Sequence, residues 1–140
     1  MSFIFAVYTS VKQSLLGKLS GVTVYAGHVP KEPSYPYVYL SSNVPDATER
    51  SLGRRATAVQ HRFRTTAVGL TDDSVRIIAD KVVRILDGSR FNVQGWVLGK
   101  MENQPNDQRI QEDRDVTDPD TGVHPQYAVL DWLITGSRKP

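Results

Sequence analysis

The chain has 140 residues and a formal net charge of +2, with 39% hydrophobic and 23% charged residues. This length suits one domain with a single hydrophobic core, and the composition excludes a disordered chain, a collagen and a coiled coil. The absence of cysteine excludes a disulfide scaffold and a thiolate zinc site. Basic and acidic residues are interspersed, unlike the basic stripe of a dedicated DNA-binding protein.

The N-terminal segment predicts a helix over residues 3–19. Its apolar residues recur at helical spacing, and Gly21 is placed to end the helix in a left-handed turn. No part of the chain reaches the ~18 to 20 apolar residues that cross a bilayer. No Lys or Arg precedes Lys12, so the charged start of a signal peptide is missing. We therefore expect a docking helix in a protein made in a cytoplasm, without a membrane partner.

Two strands are predicted next, at residues 22–26 and 37–42, joined by a stiff connection that contains three prolines. In the second strand the aliphatic residues share one face, and Tyr37 and Tyr39 share the other. Two tyrosines on one face indicate that this face is covered, by the chain itself or by a neighbouring molecule.

Residues 43–57 form the longest break in apolar patterning, and they predict a long loop. A loop of this length is functional or is the solvated tip of a hairpin. A long strand follows at residues 58–70. The loop and the strand together carry five arginines, namely Arg50, Arg54, Arg55, Arg62 and Arg64. This basic patch could contact phosphate, or it could pair with the acids Glu112, Asp113 and Asp115 of a neighbouring subunit.

The second helix is predicted from Thr71 or Asp72 to Gly88, with acids in its first turn and a regular apolar stripe. Strands are then predicted at residues 91–101 and, as its antiparallel return, at 108–115, with turn residues between them at 103–107. The acidic second strand predicts a sheet edge. A central strand at 127–135 precedes a loose tail.

These elements predict an α+β fold in a single domain of residues 1–140. The expected sheet is mixed but mainly antiparallel, both helices pack on one of its faces, and residues 43–57 lead a long protruding hairpin.

Chemical motifs give no enzyme site. The three histidines are far apart, and no metalloprotease, P-loop or nucleophile-elbow motif occurs. Asp118 and Asp120 alternate as calcium ligands do, but no glutamate closes the loop, so a turn held by its own aspartates is favoured. We therefore expect no catalytic residue, metal or cofactor.

Several short motifs follow one another in a definite order. They are V-x-V-Y-x-G-H-V-P at 22–30, Y-P-Y-V at 35–38, L-D-G at 86–88, R-D at 114–115, His124, and Asp131 in the last strand. In this order the chain resembles, over nearly its whole length, the tail terminator or tail completion proteins of long-tailed double-stranded DNA phages. Other components of the same particle, such as a connector stopper or a tail tube protein, remain alternatives, as does a nucleic-acid-binding module.

The resemblance implies a structural protein of the virion, at the head-proximal end of the tail. Such proteins form a hexameric ring on the last ring of the tail tube, stop its polymerisation and join the head connector. The genomic DNA passes through the ring without specific binding. A ring needs two different complementary surfaces on each subunit. The candidates are the basic hairpin and the acidic edge strand, with Tyr37 and Tyr39 supplying apolar contact.

Overall fold

The computed structural model describes residues 3–44, 46–50 and 56–139. Within them, two helices and eight strands occur in the order α1 (Phe3–Lys18), β1 (Thr23–Ala26), β2 (Tyr37–Ser42), β3 (Asp46–Arg50), β4 (Ala56–Gly69), α2 (Asp72–Leu86), β5 (Trp96–Leu98), β6 (Glu102–Gln104), β7 (Gln111–Glu112) and β8 (Gln126–Arg138). No helix of this described part is long and apolar enough to cross a bilayer.

All eight strands belong to one sheet, whose centre is the antiparallel pair of the long strands β4 and β8. On the outer side of β4, β3 pairs with its first half and β2 with its second half, and β1 joins β2 in parallel. On the outer side of β8, the short strands β5, β6 and β7 follow one another. The predicted α+β fold with a mainly antiparallel mixed sheet is therefore confirmed.

Both helices pack on the same face of this sheet. Alternate residues of β2, β4 and β8 are buried there against the apolar stripes of the helices. The fully buried members of this core are led by Trp132, Phe63, Leu15, Leu40, Ile78 and Leu86. The indole Nε1 of Trp132 donates a hydrogen bond of 2.9 Å to the hydroxyl of Thr65, so the largest core side chain keeps its polar atom paired.

Helix α2 has the ends that its sequence predicts. The Thr71 hydroxyl accepts a hydrogen bond from the backbone N–H of Ser74 at 3.1 Å, and Asp72 and Asp73 occupy the first turn. Beyond the last turn, Gly88 has a φ of +75°, which a residue with a Cβ adopts at a cost. These local signals fix where the helix begins and ends.

The prediction that residues 43–57 form a loop is wrong in part. Strand β3 lies within it and pairs antiparallel with the start of β4, with an irregular register between Ala47 and Arg50. A strand at a sheet edge is held by backbone hydrogen bonds to one neighbour, so its charged sequence shows no alternation. Protrusion of the hairpin stays a prediction, because residues 51–55 lie outside the described residues.

The predictions for residues 91–115 were also wrong in detail. The strand predicted at 91–101 is reduced to β5, the predicted turn contains β6, and the predicted return strand is reduced to β7. All three pair with β8 rather than with one another. The long strand β8 supplies the backbone partners, and segments of two or three residues are too short to show a period.

Residues 136–138, predicted as the start of a loose tail, are likewise part of a strand. Strand β8 continues through Arg138, and Gly136 pairs with Leu98 of β5 on one side and with Val59 of β4 on the other. Two pairing partners hold this segment although its sequence is polar and contains glycine.

The buried imidazole of His61 should make stability depend on pH. Burial against Phe63, with ring centroids 4.1 Å apart, lowers the pKa of His61 from 6.5 to about 4. Between these values the unfolded chain binds a proton that the folded chain excludes. The free energy of unfolding should therefore be highest above pH 6.5 and decrease by on the order of 2 kcal/mol as pH falls to 4.

Urea unfolding across this pH range measures the effect. His61→Phe should remove most of the slope, whereas the matched variant His28→Gln, at an exposed histidine, should keep it. The carboxyl groups with lowered pKa, Asp107 and Asp131, stabilise the folded chain above their ordinary pKa of 3.8 and lose this contribution as pH falls below it, so they add little slope between pH 6.5 and 4. An unchanged slope in His61→Phe would contradict the assignment.

Candidate subunit interface

The sheet face opposite the helices carries four of the ten side chains that the sequence singles out, namely Tyr37, Tyr39, Arg62 and Arg64. Strand alternation places them in cross-strand rows, in which Tyr37 lies beside Val68, Tyr39 beside Thr66, and Arg64 beside Asp131. The tyrosines on this face are half-buried. No helix covers this face in the described part of the chain, so its cover comes from connecting segments.

One depression on this face is a groove of about 300 Å³ at the end where β2 begins, here called the tyrosine groove. Its floor is formed by Tyr37, Thr66, Val68 and Tyr127. One wall is the proline-rich connection before β2, and the other is the acidic segment that follows β7, which contributes Asp113. The groove therefore combines aromatic surfaces with a carboxylate.

Three tyrosines form a packed cluster beside the groove. The ring of Tyr37 lies 5.3 Å from that of Tyr25 in an edge-on arrangement and 5.6 Å from that of Tyr35. The Tyr25 hydroxyl accepts a hydrogen bond of 3.0 Å from the backbone N–H of Ser34, which ties the proline-rich connection to the cluster. Aromatic pairs at these distances hold each other's orientation, so the groove has a preformed aromatic wall.

Carboxylates near the groove act on its phenol groups. Burial is the main cause that raises the pKa of Tyr37 to about 12, and the neighbouring Tyr35 and Asp113 raise it further. Burial followed by the charges of Asp118 and Asp113 also raises the pKa of Tyr35. A phenol resists ionisation when an anion is nearby. The same field favours a cation in the groove.

The three acids predicted as an interface lie close together but differ in their surroundings. Glu112 is exposed on β7, and its carboxylate lies 3.7 Å from the guanidinium of Arg114. Asp113 is half-buried in the groove wall and accepts a hydrogen bond from the backbone N–H of Asp115, which itself is exposed. Only Asp113 of these three lines the tyrosine groove.

The arginines of β4 have partners within the chain. Arg64 Nε donates to Asp131 Oδ1 at 2.8 Å, and Asn106 donates to the other carboxylate oxygen at 2.6 Å. The Arg64 hydrogen bond is the main cause of the lowered pKa of Asp131. The Arg62 side chain donates to Gln60 at 3.2 Å. Both lie within β4, after its first six residues, and Arg54 and Arg55 lie outside the described residues, so a single basic patch of all five arginines stays a prediction.

Strand β3 and the acidic segment lie at opposite corners of the sheet. Arg50 ends β3, which pairs with the first residues of β4. Strand β7 lies on the other side of the sheet, beside residues 126–127 of β8, which pair with the last residues of β4. The backbone of Arg50 is thus separated from the acidic segment along the strands as well as across them. Arg54 and Arg55 lie outside the described residues.

Tyr37 and Asp113, predicted separately from the sequence, are brought together in one groove, while Tyr39 lies beside it on the same face. The sequence did not predict Tyr25, Tyr35 or Tyr127 as interface residues. The clustering of Tyr35 and Tyr37 around one proline, and the position of Tyr127 on the less apolar face of its strand, are the signals that could have found them.

Other clefts offer a weaker site. A cleft of about 600 Å³ runs along α2 beside residues 108–110, with an apolar floor and charged rims.

Among the described residues no group of three metal-ligating side chains occurs. The side chain of Asp118 accepts hydrogen bonds from both the backbone N–H and the hydroxyl of Thr121, as the favoured turn interpretation predicts.

Comparison with known proteins adds no relative to this description. No protein-family model matches the chain, and no curated protein matches it either. The functional interpretation therefore rests on the residues themselves and on the resemblance in the order of their motifs.

Proposed function

We propose that this protein is a tail terminator of a long-tailed double-stranded DNA phage. Copies of it form a ring, six-fold as the resemblance implies, that caps the tail tube, ends its polymerisation and offers a surface to the head connector. Its place is the head-proximal end of the tail, and genomic DNA passes through the ring. The role is structural and involves no chemical reaction.

The observation that carries this proposal is that β3, which ends at Arg50, and the acidic segment at β7 lie at opposite corners of one sheet. A ring of identical subunits needs a head-to-tail contact between two unlike surfaces on each copy. Basic residues at one edge and Glu112, Asp113 and Asp115 at the other supply unlike surfaces that attract each other. Such complementarity sets the register and the rate of association.

A second observation concerns charge on the helix-free face. Arg64 is neutralised by Asp131 within the same subunit. Where this face borders the channel, an internally paired arginine leaves less positive charge for the DNA phosphates to bind. This pairing is compatible with a passage through which DNA slides.

Solution assembly gives the first test. The mass of the purified protein, measured together with negative-stain images, should show a closed ring that does not extend. Long filaments would instead favour a tail tube protein, and a steep loss of DNA affinity with salt would favour a nucleic-acid-binding module.

The decisive measurement is loss of function in the phage. Phage that lack this protein should make tails of unregulated length that fail to join heads, because nothing then ends tube polymerisation. Electron microscopy of the lysate gives the length distribution and the fraction of attached heads. Tails of normal length joined to heads would defeat the proposal.

A further inference from the structure

We propose that the tyrosine groove binds a second copy of this chain through its basic hairpin segment, residues 50–55, with a guanidinium stacked on the tyrosines and paired with Asp113. This inference rests on the proposed ring and names the contact that closes it. It assigns the groove to one occupant, an arginine-bearing segment of the neighbouring subunit.

The chemistry of the groove is that of an arginine site. The half-buried rings of Tyr37 and Tyr127 give flat aromatic surfaces, and Asp113 stands in the adjacent wall. Arginine combines stacking on an aromatic face with two parallel hydrogen bonds to a carboxylate, which a lysine ammonium cannot do. A volume of about 300 Å³ is at the small end for ligand sites, as expected for one or two side chains.

Charge selects the same occupant. Residues 50–55 contain three arginines and no acid, whereas residues 111–120 around the groove contain five acids and one arginine. Lys31 also lines the groove and opposes a cation there. One ammonium at an exposed position leaves the acidic excess of residues 111–120 in place, and Asp113 contributes, after burial, to the raised pKa of both Tyr35 and Tyr37.

The occupant cannot come from the same chain. Strand β4 runs from the basic hairpin at Ala56 to the groove at Val68, which is about 40 Å at the ordinary rise of a strand. The five residues 51–55 would span only about 18 Å if fully extended, and both their ends are held by the pairing of Arg50 with Ala56. Residues 50–55 can therefore reach this groove only on another copy of the chain.

The lack of cysteine provides the test. Two single-cysteine variants of the full chain, Val116→Cys in the groove wall and Ser51→Cys in the hairpin segment, are mixed under mild oxidation, and disulfide-linked pairs are followed by mass. Both variants keep Asp113 and the three arginines. The matched control replaces Val116→Cys by Ile77→Cys, an exposed apolar position on α2. The groove pair should cross-link about tenfold faster than the control pair, because binding raises the local concentration of the two thiols. Equal rates would overturn the proposal.

A second measurement uses charge instead of thiols. Sedimentation should show weaker self-association in Asp113→Lys. The triple variant Asp113→Lys, Arg54→Asp and Arg55→Asp restores opposite charges on the two surfaces, and it should recover much of the lost self-association. Circular dichroism of each variant checks that it folds. Folded Asp113→Lys protein that associates like the parent chain would also overturn the assignment.

The outcomes separate this inference from the proposed function. Selective cross-linking, found together with normal tails in phage that lack the protein, would leave the groove contact standing and remove the tail terminator role. Unregulated tails without selective cross-linking would support the tail terminator role and remove the groove contact.

Discussion

Replacing Trp132 by alanine should lower the free energy of unfolding by about 3 to 5 kcal/mol. The side chain is fully buried at the centre of the sheet, where it pairs in register with Phe63 under both helices. Its removal takes away the largest buried side chain and opens a cavity that rigid strands cannot close. A domain of this size is stable by about 5 to 15 kcal/mol in total, so the variant should be close to unfolding. Urea denaturation followed by circular dichroism measures the change.

Two further variants separate packing from hydrogen bonding. Thr65→Val keeps the shape but leaves the buried indole N–H without the acceptor at 2.9 Å, which should cost about 1 to 3 kcal/mol. Ile77→Ala, at a side chain that is 58% exposed on α2, should change stability by no more than about 0.5 kcal/mol. A Trp132→Ala protein as stable as Ile77→Ala would show that the core is not organised around the indole.

The elements that the sequence predicts well are those whose own residues carry the pattern. Helix α2 combines a capping threonine, acids in its first turn and a full apolar stripe, and its predicted and observed limits agree closely. Strand β2 was predicted with its observed bounds, because Val38 and Leu40 alternate with tyrosines. In such segments the side chains that select the element are the ones that it buries.

The elements that the sequence predicts poorly depend on distant partners. Strands β3, β6 and β7 are short, polar and held by backbone hydrogen bonds to β4 or β8. Residues 136–138 form strand because Trp96–Leu98 and the start of β4 lie on either side of them. Backbone pairing leaves little trace in the side chains of an edge strand, so no period in these segments could show it.

The candidate interface shows the same division. Residue type alone identified Tyr37 and Asp113 as unusual, since an aromatic strand face and an acidic edge are visible in the sequence. Their meeting in one groove depends on the connection before β2 and the segment after β7 folding over the same end of the sheet. More than 70 residues separate the two, and no local pattern relates them.

Reversing the charge of the basic hairpin with Arg54→Glu and Arg55→Glu should impair ring formation or docking while the subunit keeps its folded spectrum. Opposed carboxylates would replace attraction at the acidic corner by repulsion, and loss of a close interfacial charge pair costs about 2 to 5 kcal/mol. That corresponds to a weakening of self-association by roughly thirtyfold to several thousandfold. Sedimentation and negative-stain images measure the assembly, and far-ultraviolet circular dichroism measures the fold.

Two matched controls test whether the charge at positions 54 and 55 causes the loss of assembly. Arg54→Lys with Arg55→Lys keeps the charge but loses the planar fork, so it should lie between the parent chain and the reversal. Lys81→Glu with Arg84→Glu makes the same change in net charge on the exposed side of α2, where the Arg84–Asp80 pair contributes only a few tenths of a kcal/mol. Rings lost equally in both reversals would point to net charge, whereas rings lost only in the hairpin reversal identify the hairpin as one half of the contact.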